Sequence, residues 1–219
     1  MGFALAIVSI IAVIASWLIL LVTGVLPFND LTLAIQLILV IVGIPLALVV
    51  GIWSVYNNMV TARQRVNEAW ATIDVQLNRR ASLIPNIVET VRGYAGHERE
   101  TLENVIQARA ALQSASTTGQ AAAVDNILTG ALRSLFALVE AYPDLKANQN
   151  FLRLQSELSD VESKIAFARQ FFNTQVRDYN VLASGFPGML IARRFRFETR
   201  EMFEAPEPAR GEVKVSFSS

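Results

Sequence analysis

Stepping alternately by four and three residues from Val66 picks out Val66, Trp70, Ile73, Leu77, Arg80, Ile84, Ile87, Val91, Tyr94, Glu98, Thr101, Val105, Ala108 and Leu112. Only Arg80, Glu98 and Thr101 interrupt this apolar line. A seam held in one heptad phase over that distance predicts a long helix laid against partner helices. No Gly or Pro lies between Ile52 and Asn78, so the helix is expected to run without a break out of the apolar segment before it. Pro85 is the one interruption. It removes a backbone donor and crowds the preceding turn, so two readings stand: a kinked helix that continues to Leu112, or a chain reversal at the proline. The undisturbed phase through Leu77, Ile84 and Val91 favours the collinear helix.

Two further amphipathic segments follow. The polar run 114–119 predicts a loop. After it Val124, Leu128, Ala131, Leu135, Leu138 and Tyr142 repeat the helical spacing, and Pro143 ends the segment. The last segment carries Phe151, Leu154, Leu158, Val161, Ile165, Ala168, Phe172, Tyr179, Leu182 and Phe186 on one stripe, closed by Gly185, Pro187 and Gly188. Such stripes bury themselves only against one another, which predicts an elongated antiparallel bundle of three to four helices. Its seam is assigned to Val66, Trp70, Ile73, Leu77, Ile84, Val91, Phe151, Leu158, Ile165 and Phe172.

Charge then changes the picture at the N-terminus. Asp30 is the only charged side chain before Arg63, and two uncharged runs, about 3–26 and 31–55, are each long enough to cross a hydrocarbon core. The first is too long, and too poor in basic flanks, for a cleaved leader. With only Pro27, Phe28, Asn29 and Asp30 between them, the two spans form a hairpin. The fold class is therefore all-α: a two-helix transmembrane hairpin at 1–56, a bundle at 57–187 whose first helix continues the second span, and a basic, aromatic tail with a flexible C-terminus at 188–219. Arg63, Arg65, Arg79 and Arg80 follow the second span, which places the bundle on the cytoplasmic side. Gly43, Ala47 and Gly51 line one face of that span with small side chains, a surface on which another helix can pack closely.

The tail mixes Arg193, Arg194, Arg196 and Arg200 with Phe195, Phe197 and Phe203. It reads either as a short helix closing the bundle with its basic face in water, or as a membrane-surface segment. Residues 212–217 alternate like a strand. Candidate chemistry is thin. His97 and Glu98 open like a zinc-protease motif, but Thr101 stands where the second histidine belongs. Asp74, Glu98 and Arg109 sit among apolar neighbours, a setting in which charged groups pair across a bundle more often than they catalyse. The chain has no cysteine and no net formal charge, so neither thiol chemistry nor nucleic-acid binding is indicated. No catalytic, cofactor or metal site is assigned.

Several polar and apolar positions together resemble the bacterial LemA family. They include Tyr56, Asn57, Arg63, Trp70, Asp74, Arg79, Arg80, Pro85, Asn86, Gly93, Tyr94, His97, Glu98 and Arg109. A second block adds Tyr142, Pro143, Asp144, Asn148, Phe151, Glu162, Arg169, Phe172, Asn173, Tyr179, Asn180, Phe186 and Pro187. The resemblance implies a membrane-anchored helical bundle with no established enzymatic activity, and its members in magnetosome-forming bacteria imply a part in membrane organisation. The chain departs from the family in having two spans instead of one, in Arg196 where glycine is usual, and in lacking the proline before residue 213.

Together these readings give a multi-pass protein of the bacterial inner membrane that contacts the lipid bilayer. It is expected to act as a structural scaffold that self-associates, because a collinear helix of residues 55–112 would reach about 85 Å and outrun its partners. The alternative is a tethered adaptor or sensor that relays a signal to an unidentified soluble protein.

Overall fold

The computed structural model describes the backbone of residues 30–203 and the side-chain surroundings of residues 41–203. The first predicted span and the predicted strand at 212–217 lie outside the described residues. Among the described residues there are six helices and no strand: α1 Asp30–Arg92, α2 Arg99–Ser114, α3 Thr118–Val139, α4 Pro143–Lys146, α5 Gln149–Ser184 and α6 Gly188–Phe195. The described residues divide into two compact units, one of residues 30–62 with 181–198, the other of residues 63–180 with 199–203.

The larger unit is an antiparallel bundle. Helix α1 passes through Pro85 but does not continue to Leu112. The reversal comes eight residues after the proline, at 93–97, where Gly93 and Gly96 supply the turn and the Ala95 amide donates to the Val91 carbonyl at 2.8 Å. Arg109 on α2 thereby returns to the level of Ala81 on α1. A label pair at Gln64 and Gln107 is then not separated by the roughly 65 Å that a straight helix would give.

That contact explains why a proline is tolerated inside a 63-residue helix. Pro85 has no N–H, so the Ala81 carbonyl four residues earlier loses its helical donor. Arg109 Nε donates to that carbonyl at 2.9 Å. Arg109→Ala is expected to cost about 1–3 kcal/mol by leaving the carbonyl without a partner, and well under 1 kcal/mol when Pro85→Ala restores the backbone donor. A double-mutant cycle read by chemical denaturation checks this; equal costs in the two backgrounds would refute the pairing.

Helix α3 is capped by Thr117, whose Oγ1 accepts from the Gln120 amide at 3.2 Å. Its buried face is Ala121, Ala122, Asp125, Leu128, Leu132, Leu135 and Val139; of the predicted stripe Leu128 and Leu135 are buried, while Val124, Ala131, Leu138 and Tyr142 are half-buried. The difference is a small rotation about the helix axis: the buried stripe includes a charged residue, Asp125, which an apolar pattern steps around. Asn148 starts α5 by accepting from the amides of Asn150 and Phe151 at 2.9 and 3.1 Å.

Among the described residues, two helices are long and apolar enough to cross a membrane, α3 and the 41–92 part of α1. They differ in what surrounds them. α3 turns a fully buried Asp125 into the bundle, as a core helix does. In α1, by contrast, Ile41, Leu46, Leu48, Val49, Ile52 and Trp53 are all exposed. An uncharged run whose large apolar side chains face outward is what a bilayer-spanning helix presents.

Candidate functional site

The most heavily invested polar site is a charge cluster inside the bundle. Arg80, which interrupts the apolar seam, is 1% exposed and is the largest fully buried side chain among the described residues. Its Nη1 donates to Asp125 Oδ1 at 2.7 Å, and its Nη2 donates to Glu162 Oε2 at 2.9 Å and to Thr129 Oγ1 at 3.1 Å. The other carboxylate oxygen of Asp125, itself 0% exposed, pairs with Arg169. Three helices therefore meet through charge: α1 gives Arg80, α3 gives Asp125 and Thr129, and α5 gives Glu162 and Arg169.

Burial disfavours the cationic form of both arginines. It pushes the Arg80 pKa down, with Glu162 opposing the shift, and it pushes Arg169 down to about 10, with the neighbouring Arg80 acting in the same direction. At about 10, Arg169 remains a cation at neutral pH, and an arginine guanidinium as a rule keeps its proton in proteins. Asp125 pairs with both and offsets one of the two positive charges from inside, while half-exposed Glu162, paired with Arg80, offsets the other toward solvent. The arrangement ties side chains of three helices together through ion pairs. Among the described residues no group of His, Asp and Glu side chains is placed to hold a metal ion.

A second polar device fastens the segment after α6 to α5. Asn180 Nδ2 donates to the Arg200 carbonyl at 2.8 Å while the Arg200 amide donates to Asn180 Oδ1 at 2.9 Å. Asn173 makes the same exchange with Phe203 at 3.0 and 2.8 Å. Phe203 is buried beside Trp70, and the Arg169 guanidinium lies 4.7 Å from its ring centroid. Up to Phe203, then, the tail is fixed to the protein.

Of the predicted seam residues, Val66, Ile73, Leu77, Ile84, Val91, Phe151, Leu158, Ile165 and Phe172 are buried. Trp70 is only half-buried, packed between the rings of Phe172 and Phe203. Tyr94 is exposed, because it sits in the turn, where Asn148 Nδ2 donates to its hydroxyl at 3.0 Å. Asp74 is exposed, and Glu98 accepts a long hydrogen bond from the Tyr142 hydroxyl, 3.4 Å. Neither is the buried acid of the bundle. That residue is Asp125, which no sequence pattern singles out. In the membrane-length part of α1, Gly43 and Ala47 are half-buried and Gly51 is buried. A side chain added at Gly43 would meet nothing within 4 Å among the described residues.

Fold and site define a class: a helical bundle held by a buried charge cluster and continuous with an apolar helix long enough to span a bilayer. The chain belongs to the LemA family, whose family model matches residues 69–217. It is 27% identical over 172 residues to Protein LemA of Metamycoplasma hominis, covering 73% of this chain and 74% of that one. It is also similar to Magnetosome protein MamQ of Magnetospirillum gryphiswaldense, 24% identical over 174 residues, with 68% of this chain and 64% of the relative covered. Magnetosome protein MamQ 2 of Paramagnetospirillum magneticum is 21% identical over 175 residues, with the same coverage.

Proposed function

We propose that this chain is a non-enzymatic, membrane-anchored scaffold that self-associates through the face of the bundle between α1 and α5. The reversal at 93–97 removes the long uncovered seam that a straight helix would leave, so the contact surface must lie elsewhere. The observation that carries the reading is a pair of phenylalanines one turn apart on α5, Phe167 at 73% and Phe171 at 46% exposure. They border shallow grooves against α1 lined by Thr72, Gln76, Ala69 and Arg65. Val75, on the same stretch of α1, is also largely exposed. Large apolar side chains clustered on a bundle surface mark an interface, and one patch meeting its own copy about a two-fold axis is the commonest solution.

Similarity to proteins named for the magnetosome supports a role in a membrane-bound assembly. The arginines that follow the apolar run of α1 support a cytoplasmic bundle in the inner membrane. Because the chain has no cysteine, single cysteines test both points. Phe167→Cys and Phe171→Cys should give dimers with a bis-maleimide in membranes, and Glu103→Cys on α2 should not. A membrane-impermeant maleimide should reach Phe167→Cys only after the cells are opened. Cross-linking no stronger than at Glu103, together with a monomeric mass in mild detergent, would sink the scaffold reading; labelling of intact cells would reverse the orientation.

A further inference from the structure

We propose that Phe186 and α6 form a foot that rests on the anionic headgroups of the bilayer that α1 enters. Within the smaller unit, α6 is fixed to the part of α1 that follows the exposed apolar run. Its inner face, Gly188, Ile191 and Ala192, is buried, as are Val55 and Met59 on α1. The Tyr56 ring meets Phe195 edge-on at 4.9 Å and Phe197 at 5.7 Å. At Gly188 the backbones approach so closely that a Cβ would fall 2.0 Å from the Leu182 carbonyl oxygen and 3.1 Å from Met59 Cε.

The axial position follows from helical rise. Trp53, the last large exposed apolar side chain of the run, precedes Tyr56 and Met59 by about 4.5 and 9 Å along the axis. A bilayer is about 30 Å of hydrocarbon within 40–45 Å overall, so each headgroup layer is roughly 5–8 Å deep. Tyr56, which meets Phe195 and Phe197, lies within that depth, and Met59, which meets Gly188, lies just outside it.

Its outer surface fits the layer. Phe186 is 81% exposed, and Met189 and Leu190 are exposed on the first turn of α6. Arg193, Arg194 and Arg196 are exposed at its other end, and no Asp or Glu lies between Asp178 and Glu198. Apolar side chains beside a group of exposed arginines match acyl chains beside lipid phosphates. Arg196 adds a backbone observation, because it holds the left-handed conformation with φ 55°, a region that favours glycine. A long cation is kept where a smaller residue would be less strained. The foot uses none of the residues assigned to the Phe167 face, so it stands whether or not the chain self-associates.

The test uses the full-length, cysteine-free chain with single spin-labelled cysteines at Phe186, Leu190, Val49 and Phe167, reconstituted into vesicles with about 30 mol% anionic lipid. Collisions with oxygen, which enters lipid, are compared with collisions with a water-soluble nickel reagent. Phe186→Cys and Leu190→Cys should favour oxygen over nickel by about fivefold relative to Phe167→Cys, approaching Val49→Cys. In wholly zwitterionic vesicles, or with Arg193→Gln, Arg194→Gln and Arg196→Gly combined, that preference should shrink. Values like those of Phe167 overturn the proposal, as does shielding from both reagents, which would mean that another protein surface covers α6. A preference indifferent to lipid charge and to the arginine changes overturns the headgroup contact. Water exposure at Val49 would show that the anchor itself is misassigned, and with it the foot.

Discussion

Asp125→Ala is expected to cost about 3–5 kcal/mol of unfolding free energy, the range for removing one partner of a buried ion pair. The side chain accepts from Arg80 and pairs with Arg169, and both guanidinium groups are taken largely out of water. Without the carboxylate, two cations face each other in the bundle, and half-exposed Glu162 reaches only Arg80. Asp125→Asn keeps one acceptor oxygen and the volume but loses the charge, so it should retain a minor part of the stability. Asp160→Ala is the control. It removes a surface pair with Lys164 at a similar 2.7 Å, yet should change stability by under about 0.5 kcal/mol, because exposed pairs are screened and entropically costly. Chemical denaturation of the full chain in detergent reads all three. Asp125→Ala within 1 kcal/mol of Asp160→Ala would show that the cluster does not hold the bundle.

The same cluster suggests a specificity hypothesis. Replacing Arg80, Asp125 and Arg169 together by Met, Leu and Met should be far milder than Asp125→Ala, since apolar substitutes for buried ions are often neutral or stabilising. If the charges fix helix register, the triple variant keeps its helicity and melting temperature but gives broader cross-linking between α1 and α3. A triple variant as unstable as the single one would reject that division of roles.

Much of the bundle is legible in the sequence because the seams are strongly periodic. The stripe from Phe151 to Phe172 and the stripe from Val66 to Val91 are buried where the spacing places them. The turn at 93–97 is hidden by that same periodicity. Val105, Ala108 and Leu112 are buried too, since both arms of the hairpin face one core, and the apolar phase carries on across the reversal. Gly93 and Gly96 mark the turn, but Pro85 is the louder signal, and Arg109 silences it from another helix. The charge cluster is illegible for a related reason. Arg80 scores as a flaw in one stripe and Asp125 as a gap in another, and only their juxtaposition makes them a unit. Trp70 is half-buried because Phe203, more than 130 positions later, forms one side of its pocket.

Phe203→Ala should cost about 3–5 kcal/mol, as large aromatic truncations in cores do. The argument rests on geometry that ties this residue to the bundle. Asn173 and Asn180 are seven residues apart on α5, about 10.5 Å by helical rise, and an extended chain covers the three steps from Arg200 to Phe203 in about 10 Å. Each asparagine therefore meets one backbone unit of the extended segment and offers it both a donor and an acceptor. The strap sets Phe203 against Trp70 and over Arg169, so the ring also shields a cation that holds Asp125. Losing the ring leaves a cavity and lets water reach the cluster. Phe203→Leu, which keeps most of the volume, should cost about 1.5 kcal/mol or less. Asn173→Ala should cost about 1–3 kcal/mol, and combined with Phe203→Ala it should fall short of the sum, because both act on one contact. Exposed Met202→Ala provides the baseline. If Phe203→Ala matches it in denaturant titrations, the strap is not part of the folded core.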